Sequence, residues 1–440
     1  MAEVTLTQML EARERRASAQ RALLAEYHTP IVCFTMNIAG PIKNSPLIER
    51  AFYEGIHELQ KRLPSPLSRK IHVSDTGCEA LWAISLPAAE LKGICTTLEE
   101  ETALGRLFDI DVLNERGEKL ERAVERGCLV CGASGRACAA GRLHSVKELQ
   151  DTTTRIITEY FLQRDKKHLA ALAVQSLLDE VYTTPKPGLV DRRNNGSHKD
   201  MDLALFEKSA HALLPYFEEC IRIGQAGADD LPENTFAQLR KAGIVAENAM
   251  FSATNGVNTH KGAIYSFGVL CGAVGRLWSA ANPIAERSRL LAECTALTQE
   301  SVKEDFATAN ADTAGLRCYR ENGIKGIRGE VAAGFPSVVN FSLPALEAVN
   351  GNGVWALVML IANVREDTAL YHRGGDSGVA FAVEYARQLL LQPSVQIQDL
   401  EAMDDAFIAR NLSPGGCADL LAVSYFLYHL EAYKKSITDG

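Results

Sequence analysis

The 440-residue sequence predicts a multidomain protein: an N-terminal α+β domain over residues 1–165, followed by an all-α domain over 166–440. Three observations carry this prediction. The chain is too long for one ordinary core. Strand-like runs occur only in its first part. From about residue 145 the pattern changes to alanine- and leucine-rich segments at helical spacing, and almost nothing after 170 reads as strand. No low-complexity linker separates the halves, and the boundary falls near 150–168.

The elements follow in order. Residues 5–27 mix charged and small residues at helical spacing and predict a helix. "PIVCFTMNI" is a β-like run that ends at the turn "AGP". A helix is expected over 45–62. "RKIHVSD" and "EALWAISL" read as strands broken by "TG", and "RLFDIDVLN" as a further strand that leads into the glycine turn "ERGEK". A cysteine-rich segment closes this half. Residues 145–182 form one long helical run. Helices are then expected over 206–223, 235–252, 262–281, 284–304, 342–364, 377–391 and 415–434, separated by Gly/Pro/Asn/Asp loops. The glycines at 268, 272 and 275 predict close helix packing.

Composition excludes several function classes. Charged content of 23% and hydrophobic content of 47% describe a soluble globular chain. The net charge of −9 argues against a nucleic-acid partner. No run of about 18 apolar residues is present, so no membrane span or membrane partner is expected. The N-terminal residues lack the apolar core of a secretory signal. The eleven scattered cysteines then read as reduced thiols, and the expected compartment is the cytoplasm.

Polar residues of the second domain concentrate in five loops. "TTPKPGLVDRRNNGSHKDMD" (183–202) carries Lys186, Asp191, Asn195, His198, Asp200 and Asp202. "TNGVNTHKGA" (254–263) carries Asn258, His260 and Lys261; "GIKGIRGEVAAGFP" (323–336) carries Arg328 and Glu330. "REDTALYHRGGDSG" (365–378) carries Asp367, Arg373 and Asp376; "NLSPGGCADLLA" (411–422) carries Gly415, Gly416 and Asp419. Three of them run into a helix with glycine near its start, where free N–H groups and close backbone approach suit an anion. With four cations nearby, the set has the composition of a nucleotide or polyphosphate site, and its aspartates could hold a phosphate-bridging Mg²⁺. Singly, each feature also reads as a turn, a helix cap or a structural histidine.

In the first domain, Asp109 and Asp111 stand two apart on a predicted strand, which places both carboxylates on one face. That is a workable Mg²⁺ pair for nucleotidyl or phosphoryl transfer, and it gives the domain a nucleotidyltransferase-like reading. Lys43 in "NIAGPIK" and Arg106 are candidate phosphate contacts. Cys128-x2-Cys131-x6-Cys138-x5-His144 could close a tetrahedral zinc site, or be reduced thiols in a turn.

These motifs, in this order, resemble two families. "PKPGLVDRRNNGSHKDMD", "GVNTHKGAIYSFG", "GIRGEVAAGFP", "EDTALYHRGG" and "SPGGCADLLAVSYFL" resemble triphosphoribosyl-dephospho-CoA synthase across roughly 170–435. "FTMNIAGPIK", "GRLFDIDVLNERGEKLER" and "CLVCGASGRACAAGRLHS" resemble the citrate lyase holo-acyl-carrier-protein synthase, a phosphoribosyl-dephospho-CoA transferase. The resemblance implies one bifunctional transferase with ATP, 3′-dephospho-CoA and the apo-citrate lyase acyl carrier (γ) subunit as partners. It would join the two nucleotides with loss of adenine, then load a carrier serine with loss of pyrophosphate. On that chemistry, Lys186, Lys261, Arg328 and Arg373 are expected to contact phosphates and Asp367 and Asp419 to hold Mg²⁺. Glu330 or Asp191 is the expected base, and His198 or His260 the donor near adenine. Other readings are the same pathway serving malonate decarboxylase, an Mg²⁺-dependent all-α hydrolase of ribosylated substrates, and a non-enzymatic zinc-knuckle scaffold for the carrier.

Overall fold

The computed structural model describes residues 2–308 and 314–438. The chain divides between Arg164 and Asp165 into two compact units.

The first unit is built on a four-stranded antiparallel sheet in the order β2-β3-β1-β4. The strands are β1 (Ile31–Met36), β2 (Ser68–Ser74), β3 (Gly77–Ala83) and β4 (Phe108–Leu113). Helix α1 (Leu6–Tyr27) starts at a capping box, in which Thr5 and Gln8 satisfy each other's free N–H groups. It covers one sheet face: Leu23 packs on Ile31, Cys33, Leu81 and Ala83. The opposite face lies under α2 (Pro46–Arg62) and α3 (Ala88–Glu101). There Phe34 stacks on Phe52 at 5.0 Å and meets Phe108 edge-on at 5.2 Å. Helix α3 was not expected, because Gly93 and two threonines dilute its pattern; its buried Leu91, Cys95 and Leu98 nevertheless keep helical spacing. The cysteine segment carries a short helix, α4 (Gly135–Gly141). Helix α5 (Val146–Tyr182) contains the division between the units.

The second unit is helical throughout its described residues. It comprises the end of α5, then α6 (Leu203–Ala212), α7 (Leu214–Ala226), α8 (Pro232–Ala253), α9 (Lys261–Leu277) and α10 (Arg287–Thr308). After these come α11 (Ala314–Asn322), α12 (Gly326–Ala332), a π turn at Val338–Ser342, α13 (Leu343–Ala348) and α14 (Gly353–Asn363). The last three are α15 (Thr368–Leu390), α16 (Ile397–Ala409) and α17 (Gly415–Thr438). Helix α9 is the pivot. A Cβ on Gly268 would stand 2.0 Å from the Tyr216 hydroxyl and one on Gly275 2.2 Å from the Ile221 carbonyl, so glycine is what lets α7 and α9 approach.

Four expectations change. The segment 206–223 is two helices, because Pro215 in the first turn of α7 has no N–H to continue α6. The segment 342–364 breaks where Asn350 and Gly351 adopt positive φ. Parts of the third and fourth loops are helical: α12 occupies the former, and α15 begins at Thr368, bending at Gly375 with φ 56°. Helices α11 and α16 were not expected. No helix among the described residues is long and apolar enough to cross a membrane, and all eleven cysteines are free thiols.

Candidate active sites

The second unit encloses a cavity of about 1280 Å³ to which all five loops contribute. That exceeds the roughly 300–1,000 Å³ of ordinary small-molecule pockets. Its walls are the stretch 183–202 and the starts of α9, α12, α15 and α17. The first loop is held rigidly by two buried aspartates. Asp191 accepts the backbone N–H groups of Lys186 (2.8 Å), Arg193 (2.7 Å) and Asn194 (3.0 Å). Asp404, on α16, accepts the N–H of Gly188 at 2.9 Å, the Asn194 amide at 2.8 Å and the Arg193 guanidinium at 2.5 Å. A segment pinned this way is a wall, not a linker.

Three acids line the interior. Glu180 pairs with Lys186 at 2.5 Å, and Lys186 is only 2% exposed. Asp367 caps two helices at once: Oδ1 accepts from Ala369 (3.0 Å) and Leu370 (2.9 Å) of α15, and Oδ2 from Cys417 (2.9 Å) of α17. Asp419 lies against the start of α9, where a Cβ on Gly262 would collide with its carboxylate. Burial raises the carboxyl pKa of all three, because a low-polarity site disfavours the anion. Glu330 is raised for the same reason and is steadied by the N–H and hydroxyl of Ser337.

Two histidines face the same space. His198 Nε2 lies 2.8 Å from the Ser413 hydroxyl, and Nδ1 lies 3.1 Å from Arg373. Burial and the Arg373 charge lower its pKa to about 4. His260 is 4% exposed, and burial, then Lys186, lowers it to about 3. Both rings are therefore neutral at neutral pH. The Thr259 hydroxyl donates to Ser209 Oγ at 2.6 Å, and that oxygen is 2.7 Å from His260 Nδ1. His260 Nε2 is buried without any hydrogen-bond partner, and the residue lines the cavity.

In the first unit, Asp109 and Asp111 share the α1 face of β4, opposite Thr35 and Cys33 of β1. Asp111 pairs with Lys119 at 2.7 Å. On the same face Glu79 holds Arg16 at 2.9 Å and Arg15 at 3.4 Å. Arg106 donates to the carbonyls of Gly127 (2.9 Å) and Cys128 (3.4 Å), tying the cysteine segment to the start of β4. The ligand atoms of Cys128, Cys131, Cys138 and His144 all lie within 4.8 Å of one another; no other such group of three or more exists among the described residues.

Residues 166–438 match the family of ATP:dephospho-CoA triphosphoribosyl transferase, and residues 4–160 match apo-citrate lyase phosphoribosyl-dephospho-CoA transferase. The chain belongs to the ATP:dephospho-CoA triphosphoribosyl transferase family. Relatives that span both parts include Protein CitXG of Haemophilus influenzae, 33% identical with 96% of each chain covered. Protein CitXG of Leuconostoc mesenteroides subsp. cremoris is 34% identical with 97% of each covered. The 2-(5''-triphosphoribosyl)-3'-dephosphocoenzyme-A synthase of Pectobacterium atrosepticum is 42% identical over 62% of this chain and 93% of its own.

Set against this triphosphoribosyl transferase assignment, the structure brings most of the expected second-unit residues to one cavity: Lys186, His198, Asn258, His260, Lys261, Arg328, Glu330, Asp367, Arg373, Gly415, Gly416 and Asp419. Asp191 does not line it, because three backbone donors saturate its carboxylate; it organises the loop and is not placed as a base. Gly416 gives room to the Asp367 carboxylate, 2.8 Å from its would-be Cβ, so a side chain already occupies that helix start. Asp202 caps α6, and Asp376 lies away from the cavity. The four expected phosphate cations all have protein partners: Glu180 for Lys186, Glu247 for Lys261, Asp305 for Arg328, and Ser197, Asn411 and His198 for Arg373. Lys43 likewise donates to the Ile38 carbonyl at 2.5 Å. Sequence reasoning missed Glu180, Lys325, Arg365 and His372, which also line the cavity. The last three are exposed and stand in loops already singled out; Glu180 sits inside the long helix, where nothing in the pattern marks it.

Proposed function

We propose that the chain catalyses two consecutive transfers that build and attach the citrate lyase prosthetic group. ATP and 3′-dephospho-CoA give 2′-(5″-triphosphoribosyl)-3′-dephospho-CoA and adenine. The phosphoribosyl-dephospho-CoA unit then passes to a serine of the apo-citrate lyase acyl carrier subunit with release of pyrophosphate. The observation that carries the first step is the cavity of the matched second unit, lined by buried acids and by His260, whose Nε2 is buried without a hydrogen-bond partner. The match of residues 4–160 favours citrate lyase over malonate decarboxylase as the destination. The eleven free thiols accord with a cytoplasmic protein.

In the first transfer the 2′-hydroxyl oxygen of dephospho-CoA bonds to C1′ of the ATP ribose while the C1′–N9 bond breaks. The transition state is oxocarbenium-like. Glu330, its carboxyl pKa raised by burial toward the working pH, takes the hydroxyl proton. The Thr259–Ser209 relay, by donating to Nδ1, leaves the His260 proton on Nε2, where it can donate a hydrogen bond to adenine as that base leaves with the C1′–N9 electron pair. Lys325 and Arg365, exposed at the cavity without a side-chain partner among the described residues, receive the triphosphate. The paired cations then supply field rather than first contact. Mg²⁺, when bound, neutralises phosphate charge. Asp419 fits such an ion, since a cation offsets the burial that disfavours its anion. Asp367 does not fit, because both its oxygens are committed to helix N–H groups.

In the second transfer the carrier serine oxygen bonds to the α-phosphorus and the bond to pyrophosphate breaks in line. Asp109 and Asp111 supply hard oxygen donors on one strand face, the basis of a nucleotidyltransferase-like reading and a fit for Mg²⁺. Lys119, beside Asp111, and Arg15 and Arg16 are the nearby cations. One incubation tests both steps. ATP, dephospho-CoA, Mg²⁺ and apo-carrier should release adenine only when dephospho-CoA is present, and should add the prosthetic-group mass to one carrier serine. Adenine or ribose release without dephospho-CoA would instead indicate a hydrolase.

A further inference from the structure

The stretch from Glu121 to Ser145, every residue of which is described, has two buried residues, Cys128 and Cys138. Of its four large apolar side chains, Val124 is 71% and Leu143 66% exposed, and Leu129 and Val130 are only half-buried. Its single helix has seven residues, too few to stand alone in water. Ordering a residue costs about 1–2 kcal/mol of backbone entropy, and no apolar core is present here to offset it. Yet the segment is folded about its cysteines. The Cys128 carbonyl accepts from Gly132 at 3.0 Å, with Gly132 at φ 76°, and the Cys128 N–H donates to the Ala133 carbonyl at 2.5 Å. Ser134 caps the helix that carries Cys138, and Glu125 holds the Ser134 hydroxyl at 3.0 Å.

We propose that Cys128, Cys131, Cys138 and His144 bind one zinc ion, which folds this segment. The four donor atoms lie within 4.8 Å of one another, and two of their spacings are close to tetrahedral edges. With Zn–S about 2.3 Å and Zn–N about 2.0–2.1 Å, tetrahedral edges are about 3.8 Å between sulfurs and about 3.5 Å between sulfur and nitrogen. Cys131 and Cys138 sulfurs are 3.5 Å apart, and His144 Nε2 is 3.3 Å from the Cys131 sulfur. A disulfide would need about 2.05 Å. Three thiolates and one imidazole fill all four positions, so the ion is structural, with no open position for water or substrate. The Arg106 guanidinium on the Gly127 and Cys128 carbonyls is an outer contact of the kind that orients such ligands. Through Arg106 the metal also fixes the start of the strand that carries Asp109 and Asp111.

The full-length chain, purified without chelator, should contain about one zinc by elemental mass spectrometry, released when a mercurial titrates its thiols. Exchange with Co²⁺ should give the visible bands of a tetrahedral thiolate site. Cys131→Ser and His144→Ala should lose or weaken the metal, while Cys318→Ser, in the other unit, should keep it. Chelation should open the segment to trypsin after Arg126 and Arg136. The proposal is overturned if the reduced wild-type chain stays metal-free in zinc-containing buffer. Zinc retained in full by a Cys131→Ser/Cys138→Ser double variant, or a Cys131–Cys138 disulfide in the freshly isolated protein, would overturn it equally.

Discussion

In the proposed first reaction, His260 carries the contact to the leaving base. A buried imidazole nitrogen without a partner costs stability, and in the proposed reaction a purine ring reaching Nε2 would supply that partner. His260→Gln should lower adenine release by up to about 10²–10³-fold, the span of a lost hydrogen-bond donor to developing charge. Loading of carrier from preformed intermediate should be unchanged, as followed by intact-protein mass. The two histidines also set a pH dependence. Their folded pKa values, about 4 for His198 and about 3 for His260, lie below the unfolded value of 6.5. Between those limits the unfolded chain binds more protons, so stability rises with pH. The contribution is complete above 6.5, shrinks as pH falls, and is gone by the folded values. Urea midpoints measured from pH 7 to 4.5 should fall steeply, and the His198→Gln/His260→Gln chain should give a flatter profile. Residue types and loop membership were readable in the sequence for both rings. Their neutrality and the orphan nitrogen were not, because the groups around them come from distant parts of the chain: Phe206, Ser209 and Met250 about His260, and Arg373 and Ser413 about His198. The same blindness made Asp191 and Asp367 look like a base and a metal ligand: backbone donors that saturate a carboxylate leave no trace in sequence.

At the scale of elements, the loop 183–202 shows how a polar segment is made rigid. Asp404 is fully buried and joins α16 to the loop through Gly188, Arg193 and Asn194. Asp404→Ala leaves the Gly188 N–H and the Asn194 amide without their acceptor while Arg193 keeps Asp405 and Glu401, and should cost about 1–3 kcal/mol, the usual penalty for a buried donor left unsatisfied. Denaturant midpoints should report it. Asp404→Asn, which keeps one acceptor, should cost less, and a loss equal to alanine's would mean that the charge is the whole effect. Helix periodicity exposed most of this unit, yet the partner element α16 was invisible to it. Only Leu400, Met403, Asp404 and Phe407 are buried among its thirteen residues, one of them an acid. The strands were legible because alternation and turns agree: "TG" closes β2 onto β3, with Ser74 opposite Gly77. Which face Asp109 and Asp111 share with Glu79 follows from strand pairing, which one strand's sequence does not contain.

For the whole molecule, two transfers on one chain can be separated by substitution because each compact unit holds its own chemistry. Asp109→Asn should abolish carrier loading and leave adenine release intact, and His260→Gln should do the reverse with preformed intermediate supplied. Mixing the two variants then asks what the fusion contributes. If the intermediate leaves one unit and is recaptured by the other on the same chain, a tether raises its effective concentration, commonly into the mM range for short links. The mixture has no such recapture, since each chain lacks one working site. Loading by the mixture should therefore lag wild type at nanomolar enzyme, and the lag should close as enzyme and intermediate accumulate. Equal rates at every dilution would show that the intermediate equilibrates with solvent before its second encounter, leaving the fusion to fix only the ratio of the two activities.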